Sequence, residues 1–176
     1  IMNLKRASRS ANIEAFAPYP DLDAIVTGCA TCGTALKESY KTLAEDESPE
    51  WKKRVEEFGK KVMDISELLT QKIELSKNEK KVLIKVTYHD PCHLVRAQGV
   101  SDAPRKILKA LPQVEYVEME EASVCCGGGG AFQFDFPEVS KGITEKKIQY
   151  IRETGAGVVV TGCPGCRLTI GGNMGE

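Results

Sequence analysis

Seven cysteines and their spacing are where chemistry first shows in this 176-residue chain. Cys29-Ala30-Thr31-Cys32 and Cys163-Pro164-Gly165-Cys166 are Cys-x-x-Cys pairs, Cys125-Cys126 is an adjacent pair, and Cys92 stands alone within His89-Asp90-Pro91-Cys92-His93. An odd count gathered into tight local pairs suits metal better than a disulfide framework. The later five, Cys92, Cys125, Cys126, Cys163 and Cys166, are more soft ligands than a tetrahedral zinc needs, and they suit an iron–sulfur cluster. Gly127 to Gly130 follow the adjacent pair. Backbone without side chains can approach bridging sulfides there and aim N–H groups at them.

The same residues admit other readings. The five thiols could be reduced and buried with no metal. Cys29, Cys32, Cys163 and Cys166 could form one four-thiolate zinc site, although their separation is far beyond ribbon spacing and leaves three cysteines unexplained. Either Cys-x-x-Cys could be a thioredoxin-like redox pair, but Pro164-Gly165 reads as a turn where that motif opens a helix. His89 and His93 flank Cys92, and Pro91 between them argues against a shared helical face. They are candidates for touching metal-bound thiolates or handling protons, and otherwise ordinary loop residues. The glycine run is no nucleotide loop, since Gly-Lys-Ser/Thr is absent and Phe132 and Gln133 break the dinucleotide spacing. Flavin or nicotinamide is therefore expected on a partner. Arg96, Gln98, Gly99 and Arg105 could dock that partner or form a solvated face.

The elements that must position these residues read as alternating strands and helices. Val-Thr-Gly-Cys occurs at 26–29 and again at 160–163. Each copy ends a strand-like run, 23–27 and 157–161, and each follows a helical pattern, 4–16 and 139–152, which suggests a duplicated unit. A helix is expected over 35–43. Trp51, Val55, Phe58, Val62, Ile65, Leu69 and Ile73 recur at helical spacing after Ser48-Pro49-Glu50, predicting one long amphipathic helix whose apolar stripe is core. Further on, 82–88 reads as a strand into a Pro91 turn, 104–111 as a helix, 114–119 as a strand and 122–130 as a loop. The pattern predicts an α/β fold with mainly parallel sheets covered by helices, pseudo-duplicated lobes, and cysteine loops at the carboxyl ends of strands, where ligands gather.

Composition removes several classes. Hydrophobic residues make up 41% and charged residues 28%, which is globular. With 24 basic against 25 acidic residues there is no electrostatic footprint for nucleic acid. No run approaches the roughly 20 apolar residues of a membrane span, and the first residues lack a signal-peptide core, so a reducing, cytoplasmic setting is expected.

Tyr88-His89-Asp90-Pro91-Cys92-His93-Leu94, Cys125-Cys126-Gly127-Gly128-Gly129-Gly130 and Gly162-Cys163-Pro164-Gly165-Cys166 resemble the cysteine-rich CCG domain. That domain occurs in one of the subunits of heterodisulfide reductase and in glycolate oxidase and lactate-utilisation iron–sulfur subunits, and these segments look most like the glycolate and lactate branch. The resemblance covers essentially the whole chain. It implies an iron–sulfur electron-transfer component of an oxidoreductase, with a [4Fe-4S] cluster of non-cubane form held by Cys92, Cys125, Cys126, Cys163 and Cys166. Gly127, Gly128 and His93 are expected to line that cluster. It further implies flavin-linked oxidation of a small 2-hydroxy acid, with a flavoprotein subunit as donor, an electron acceptor, and peripheral membrane association through partners. Heterodisulfide or disulfide reduction is the alternative, and a zinc-stabilised interaction module a third reading. Zinc or an empty site is expected as an option in a purified sample.

The family usually carries two copies of the motif. Cys29 and Cys32 read as half of a truncated first site, so residues 1–80 are expected to be a truncated first repeat with a linker helix and 81–176 a complete second repeat. An excised fragment of a longer protein, which could also carry a ferredoxin-like segment, is the matching expectation.

Overall fold

The computed structural model describes residues 2–72 and 83–175. Its first half runs α1 (Met2–Phe16), β1 (Ile25–Thr27), α2 (Ala30–Thr34), a π-helical turn (Ala35–Ser39), α3 (Tyr40–Thr42), α4 (Pro49–Lys61), β2 (Val62–Asp64) and α5 (Ile65–Lys72). The second half runs β3 (Ile84–Tyr88), α6 (Cys92–Val95), α7 (Asp102–Ala110), β4 (Val114–Tyr116), α8 (Phe132–Asp135), α9 (Pro137–Glu153), β5 (Val158–Val160) and α10 (Pro164–Asn173). Strands β1 and β2 pair in parallel, and β4, β3 and β5 form a second parallel sheet in that order. The fold is therefore α/β, with helices packed on parallel sheets, as the alternation predicts. Because β3 is central, the loop that leaves its carboxyl end is flanked by those leaving both neighbours.

The long helix expected from Trp51 to Ile73 is broken. Helix α4 begins as predicted, with Ser48 accepting the Trp51 N–H and Pro49 in the first turn, but it ends at Lys61. Val62, Met63 and Asp64 then pair with Ile25, Val26 and Thr27. Apolar spacing at 55, 58 and 62 satisfies a helix and this helix-then-strand path equally well, and the open edge of β1 decides between them. Helix α5 restarts on a capping box: Asp64 accepts from the Ser66 N–H at 2.9 Å, and Glu67 accepts from the Asp64 N–H at 2.9 Å. Ile73 lies outside the described residues, as does Val82, and the strand predicted over 82–88 begins at Ile84. The strand predicted to reach Met119 stops at Tyr116.

Two further boundaries move. The helix expected from Ala35 starts five residues earlier, because the Cys29 thiol caps it by accepting the Cys32 N–H. Pro164-Gly165 is not a turn but the first turn of α10, where proline's missing N–H costs nothing. Both Cys-x-x-Cys pairs thus open helices.

Each half has its own core. Ile13, Ile25, Tyr40, Val55, Phe58 and Val62 cluster in the first, with Trp51 packed against them as the apolar stripe predicts. Leu94, Met119, Ile148, Ile151 and Ile170 cluster in the second, together with Cys126, Cys163 and Cys166. The halves meet at their cysteine loops. The Ala30 N–H donates to the Gly162 carbonyl at 2.9 Å, and the Thr34 hydroxyl donates to the His93 carbonyl at 2.7 Å. Gln98, considered for partner docking, instead ties the halves together: its amide nitrogen donates to the Ala30 carbonyl at 2.9 Å and to the Thr34 hydroxyl at 3.2 Å.

Candidate metal centre

The loop leaving β3 is buried and fully pinned. The His89 N–H donates to the Val160 carbonyl, and the Asp90 N–H to the Ala122 carbonyl. The Asp90 carboxylate accepts from both terminal guanidinium nitrogens of Arg105, at 2.8 and 2.7 Å, and Arg105 also donates to Glu118 and the Ser101 carbonyl. Arg105 is therefore a half-buried clamp on this loop, its guanidinium engaged within the chain and not free for the docking considered above. Its pKa is pushed up, first by Asp90 and then by Glu118. Pro91 precedes α6 directly, so Cys92 is the first helical residue, held at the end of the central strand.

The Cys125-Cys126 loop is shaped by what it packs against. Gly127 has φ +89°, and a Cβ there would lie 2.5 Å from Thr144 Oγ1 and 2.7 Å from the Ser140 carbonyl oxygen. At Gly128 a Cβ would lie 1.8 Å from Thr169 Oγ1 and 2.8 Å from its Cβ. Glycine is thus required here for close approach to α9 and α10. Helix α9 holds the loop from below: Thr144 donates to the Cys126 carbonyl at 2.8 Å, Ser140 to the Gly127 carbonyl at 2.9 Å, and Lys147 to the Glu121 carbonyl at 2.6 Å.

The thiols cluster. Cys29 contacts Cys32, whose pKa is raised first by its bond to Cys29, then by burial, then by the charges of Cys29 and Cys163. Cys92 is raised by burial and then by the charge of Cys125, with Cys163 adding to it. Cys125 is driven up most, first by its bond to Cys126. At Cys126 a lowering bond from Cys125 is outweighed by Cys166 and by burial. Thiol–thiol contacts link Cys92, Cys125, Cys126 and Cys166, and Cys163 lies within electrostatic reach of Cys92 and, across the junction, of Cys32, with Thr31 Oγ1 at 3.5 Å from Cys163 Sγ. His93 Nδ1 lies 3.6 Å from Cys92 Sγ.

Nothing in the sequence ranks His89 above His93, yet the His89 ring lies with Cys126 and Cys166, their ligand atoms all within 4.8 Å of one another and all three residues buried. Among the described residues neither ring nitrogen makes a hydrogen bond of normal geometry, the Ala122 backbone offering only a weak contact. Burial and then the Lys147 charge push the imidazole pKa down to about 3, against a smaller opposing pull from the Ala122 backbone. Lys147, also missed, follows Ser140 and Thr144 on the buried stripe of α9, so helical periodicity was a signal that could have found it. Clustered soft thiols, the Gly127 N–H aimed at Cys125 Sγ at 3.4 Å, and a buried imidazole beside Cys126 and Cys166 with no well-formed hydrogen bond fit a metal–sulfur group.

The sequence model of the CCG family, described as "Cysteine-rich domain", matches residues 86–171, which run from within β3 to within α10. A lactate utilization protein A from Shouchella clausii is 32% identical over 170 residues, covering 97% of this chain and 69% of the relative. The chain belongs to the cysteine-rich CCG family. Other CCG relatives are a fumarate reductase (CoM/CoB) subunit from Methanothermobacter marburgensis, 43% identical over 148 residues, and a probable glycolate oxidase iron-sulfur subunit from Bacillus subtilis, 37% identical over 161 residues. These matches cover 84% and 89% of this chain but only 27% and 35% of the relatives, so the chain spans about a third or less of their length. The resemblance carried by the three cysteine segments is borne out. Among the described residues, no helix is long and apolar enough to cross a membrane.

Proposed function

We propose that this CCG chain is the iron–sulfur electron-transfer part of a larger oxidoreductase, with Cys92, Cys125, Cys126, Cys163 and Cys166 as ligands of a [4Fe-4S] cluster of non-cubane form. The observation that supports the reading most is the contact chain of Cys92, Cys125, Cys126 and Cys166, with Cys163 in electrostatic reach of Cys92, in the loops that follow β3, β4 and β5. Such a cluster accepts and releases single electrons. The protein supplies the rest. Neighbouring sulfurs and burial raise the pKa of Cys92, Cys125 and Cys126, so metal binding must release their protons and is coupled to them. The Gly127 N–H stabilises charge on the Cys125 sulfur, and the Arg105 clamp fixes His89 and Cys92 on either side of Asp90. Cys29 and Cys32 are read as part of a first copy of the motif within residues 1–80, and the five-cysteine set as a second copy within 81–176.

Within this reading the electrons come from a flavoprotein partner that oxidises a small 2-hydroxy acid and pass to a separate acceptor in the reducing cytoplasm. The lactate and glycolate relatives support that substrate class. The fumarate reductase (CoM/CoB) relative supports the second reading, reaction of a disulfide or its thiols at the cluster. Anaerobic reconstitution with iron and sulfide, followed by metal analysis and optical and paramagnetic-resonance spectra, tests the proposal. About four iron and four sulfide per chain, bleached by reductant, are expected. Stoichiometric zinc that iron cannot replace, with no visible chromophore, refutes it. Turnover of a disulfide by the loaded chain favours the second reading over the first.

A further inference from the structure

Lys147 is fully buried on α9, yet among the described residues its ammonium hydrogen-bonds only neutral groups. It donates to the carbonyls of Glu121 at 2.6 Å and Ala122 at 3.3 Å and lies 3.8 Å from Met119 Sδ. Asp90, the buried carboxylate at the end of β3, is already taken by Arg105. A buried cation without a paired anion is costly, and surrounding it with carbonyls only partly offsets the loss of water. One turn earlier on the same face of α9, Thr144 holds the Cys126 carbonyl. Lys147 therefore sits beneath the loop that carries Cys125 and Cys126, on the side away from solvent.

The negative charge that would repay this arrangement is that of the thiolates. Burial draws the Lys147 ammonium below the ordinary lysine range, and the charge of Cys126 is the largest influence holding it up, followed by Asp90, Glu121 and Cys125. Resting on the reading under Proposed function, we propose that Lys147 is a positioning residue for electron transfer: its fixed positive charge beneath the Cys125-Cys126 loop offsets the charge of the metal–thiolate group and makes that group easier to reduce. The step is a one-electron transfer from an external reductant. The loaded site becomes more negative by one charge, the reductant loses one electron, and no covalent bond is made or broken. Lys147 stabilises the reduced form more than the oxidised form because the Coulomb attraction grows with the added charge in a poorly screened interior.

A role confined to holding the loop predicts something different, since neutral donors could satisfy the two carbonyls. Lys147→Gln keeps donors for them and removes the charge, Lys147→Met removes both, and Lys147→Arg keeps the charge. The full chain and each variant are reconstituted anaerobically with iron and sulfide and titrated with dithionite under resonance detection, with circular dichroism as the check on folding. The expected result is that Lys147→Gln and Lys147→Met load but become about tenfold harder to reduce, a potential about 59 mV lower for a one-electron couple. Lys147→Arg is expected to recover most of that shift. Equal potentials at equal iron content overturn the inference and leave the cluster reading standing. If Met fails to fold, Gln decides. If both fail to fold, loaded and metal-free, Lys147 is a core residue and the inference is overturned. A wild-type chain that takes zinc but neither iron nor sulfide overturns this inference and the cluster reading together.

Discussion

Removing the guanidinium from the Asp90 clamp is the sharpest test of how this fold holds its site. The Asp90 side chain is 5% exposed and that of Arg105 is 16% exposed, and two short bonds join them. Arg105→Met would leave a buried carboxylate with no cation, for which losses of about 3–5 kcal/mol are typical. Because Arg105 keeps some access to solvent, water can reach part of the space it leaves, and the lower end, about 3 kcal/mol, is expected. At about 2–4 °C per kcal/mol for a chain of this length, the melting midpoint should fall by roughly 6–12 °C. Asp90→Asn keeps an acceptor for Arg105, which also retains Glu118, so about 1–2 kcal/mol is expected. The double variant carries no buried charge there, and its loss should fall short of the sum by at least about 1 kcal/mol. Urea unfolding of the metal-free chain under reductant, followed by circular dichroism, measures all three. Additive losses, or Arg105→Met within about 0.5 kcal/mol of wild type, would refute the clamp. Iron uptake should fall with stability, since Asp90 lies between His89 and Cys92.

Gly128→Ala drives a Cβ into Thr169 and should cost about 1–3 kcal/mol, with Thr169→Ala, which removes Oγ1 and Cγ2, returning at least half in melting experiments. Cys126→Ser should abolish or degrade the reconstituted cluster while the α/β core stays folded, whereas Cys32→Ser should leave it intact; equal loss of iron in both variants would sink the five-cysteine assignment. In the metal-free chain His89 should stay neutral across pH 5–8 in nuclear magnetic resonance titrations, because its pKa is held at about 3. Since that lies below the unfolded value of about 6.5, its contribution to stability is whole above pH 6.5 and is lost as pH falls toward 3, at up to about 1.4 kcal/mol per pH unit. A His89→Gln chain with an unchanged pH slope of stability would contradict this.

Much of the fold could be read from local pattern. The strand-then-cysteine order is local, so the ends of β1, β3 and β5 were visible in single stretches of sequence, and the buried stripe of α9 repeats at helical spacing. What could not be read depends on contacts between distant segments. Val62 and Phe58 fit a continuing helix, and only the partner edge of β1 turns Val62–Asp64 into a strand, although Asp64 and Glu67 already carried the spacing of a capping box. Along the end of β3 every residue from Val86 to Pro91 is buried, so no alternation singles out His89 from His93. That Cys32 comes near Cys163 follows from the Ala30–Gly162 and Gln98 bonds across the junction, which the repeated Val-Thr-Gly-Cys relates by pattern and cannot place in space.

The thiol cluster also governs what air would do to this protein. Cys29, Cys32, Cys92, Cys125, Cys126 and Cys166 each have another sulfur beside them, so thiolate attack and exchange need little backbone movement. Cys32 is exposed, whereas Cys126, Cys163 and Cys166 are buried, so oxidation enters at the Cys29–Cys32 end. Seven sulfurs cannot all pair. Every molecule with three internal disulfides keeps one thiol, and that thiol can attack its neighbour and hand the odd position through the cluster. Oxidised chain is therefore a set of interconverting isomers of equal mass, which separate on a column yet collapse to one species when a strong reductant reaches them.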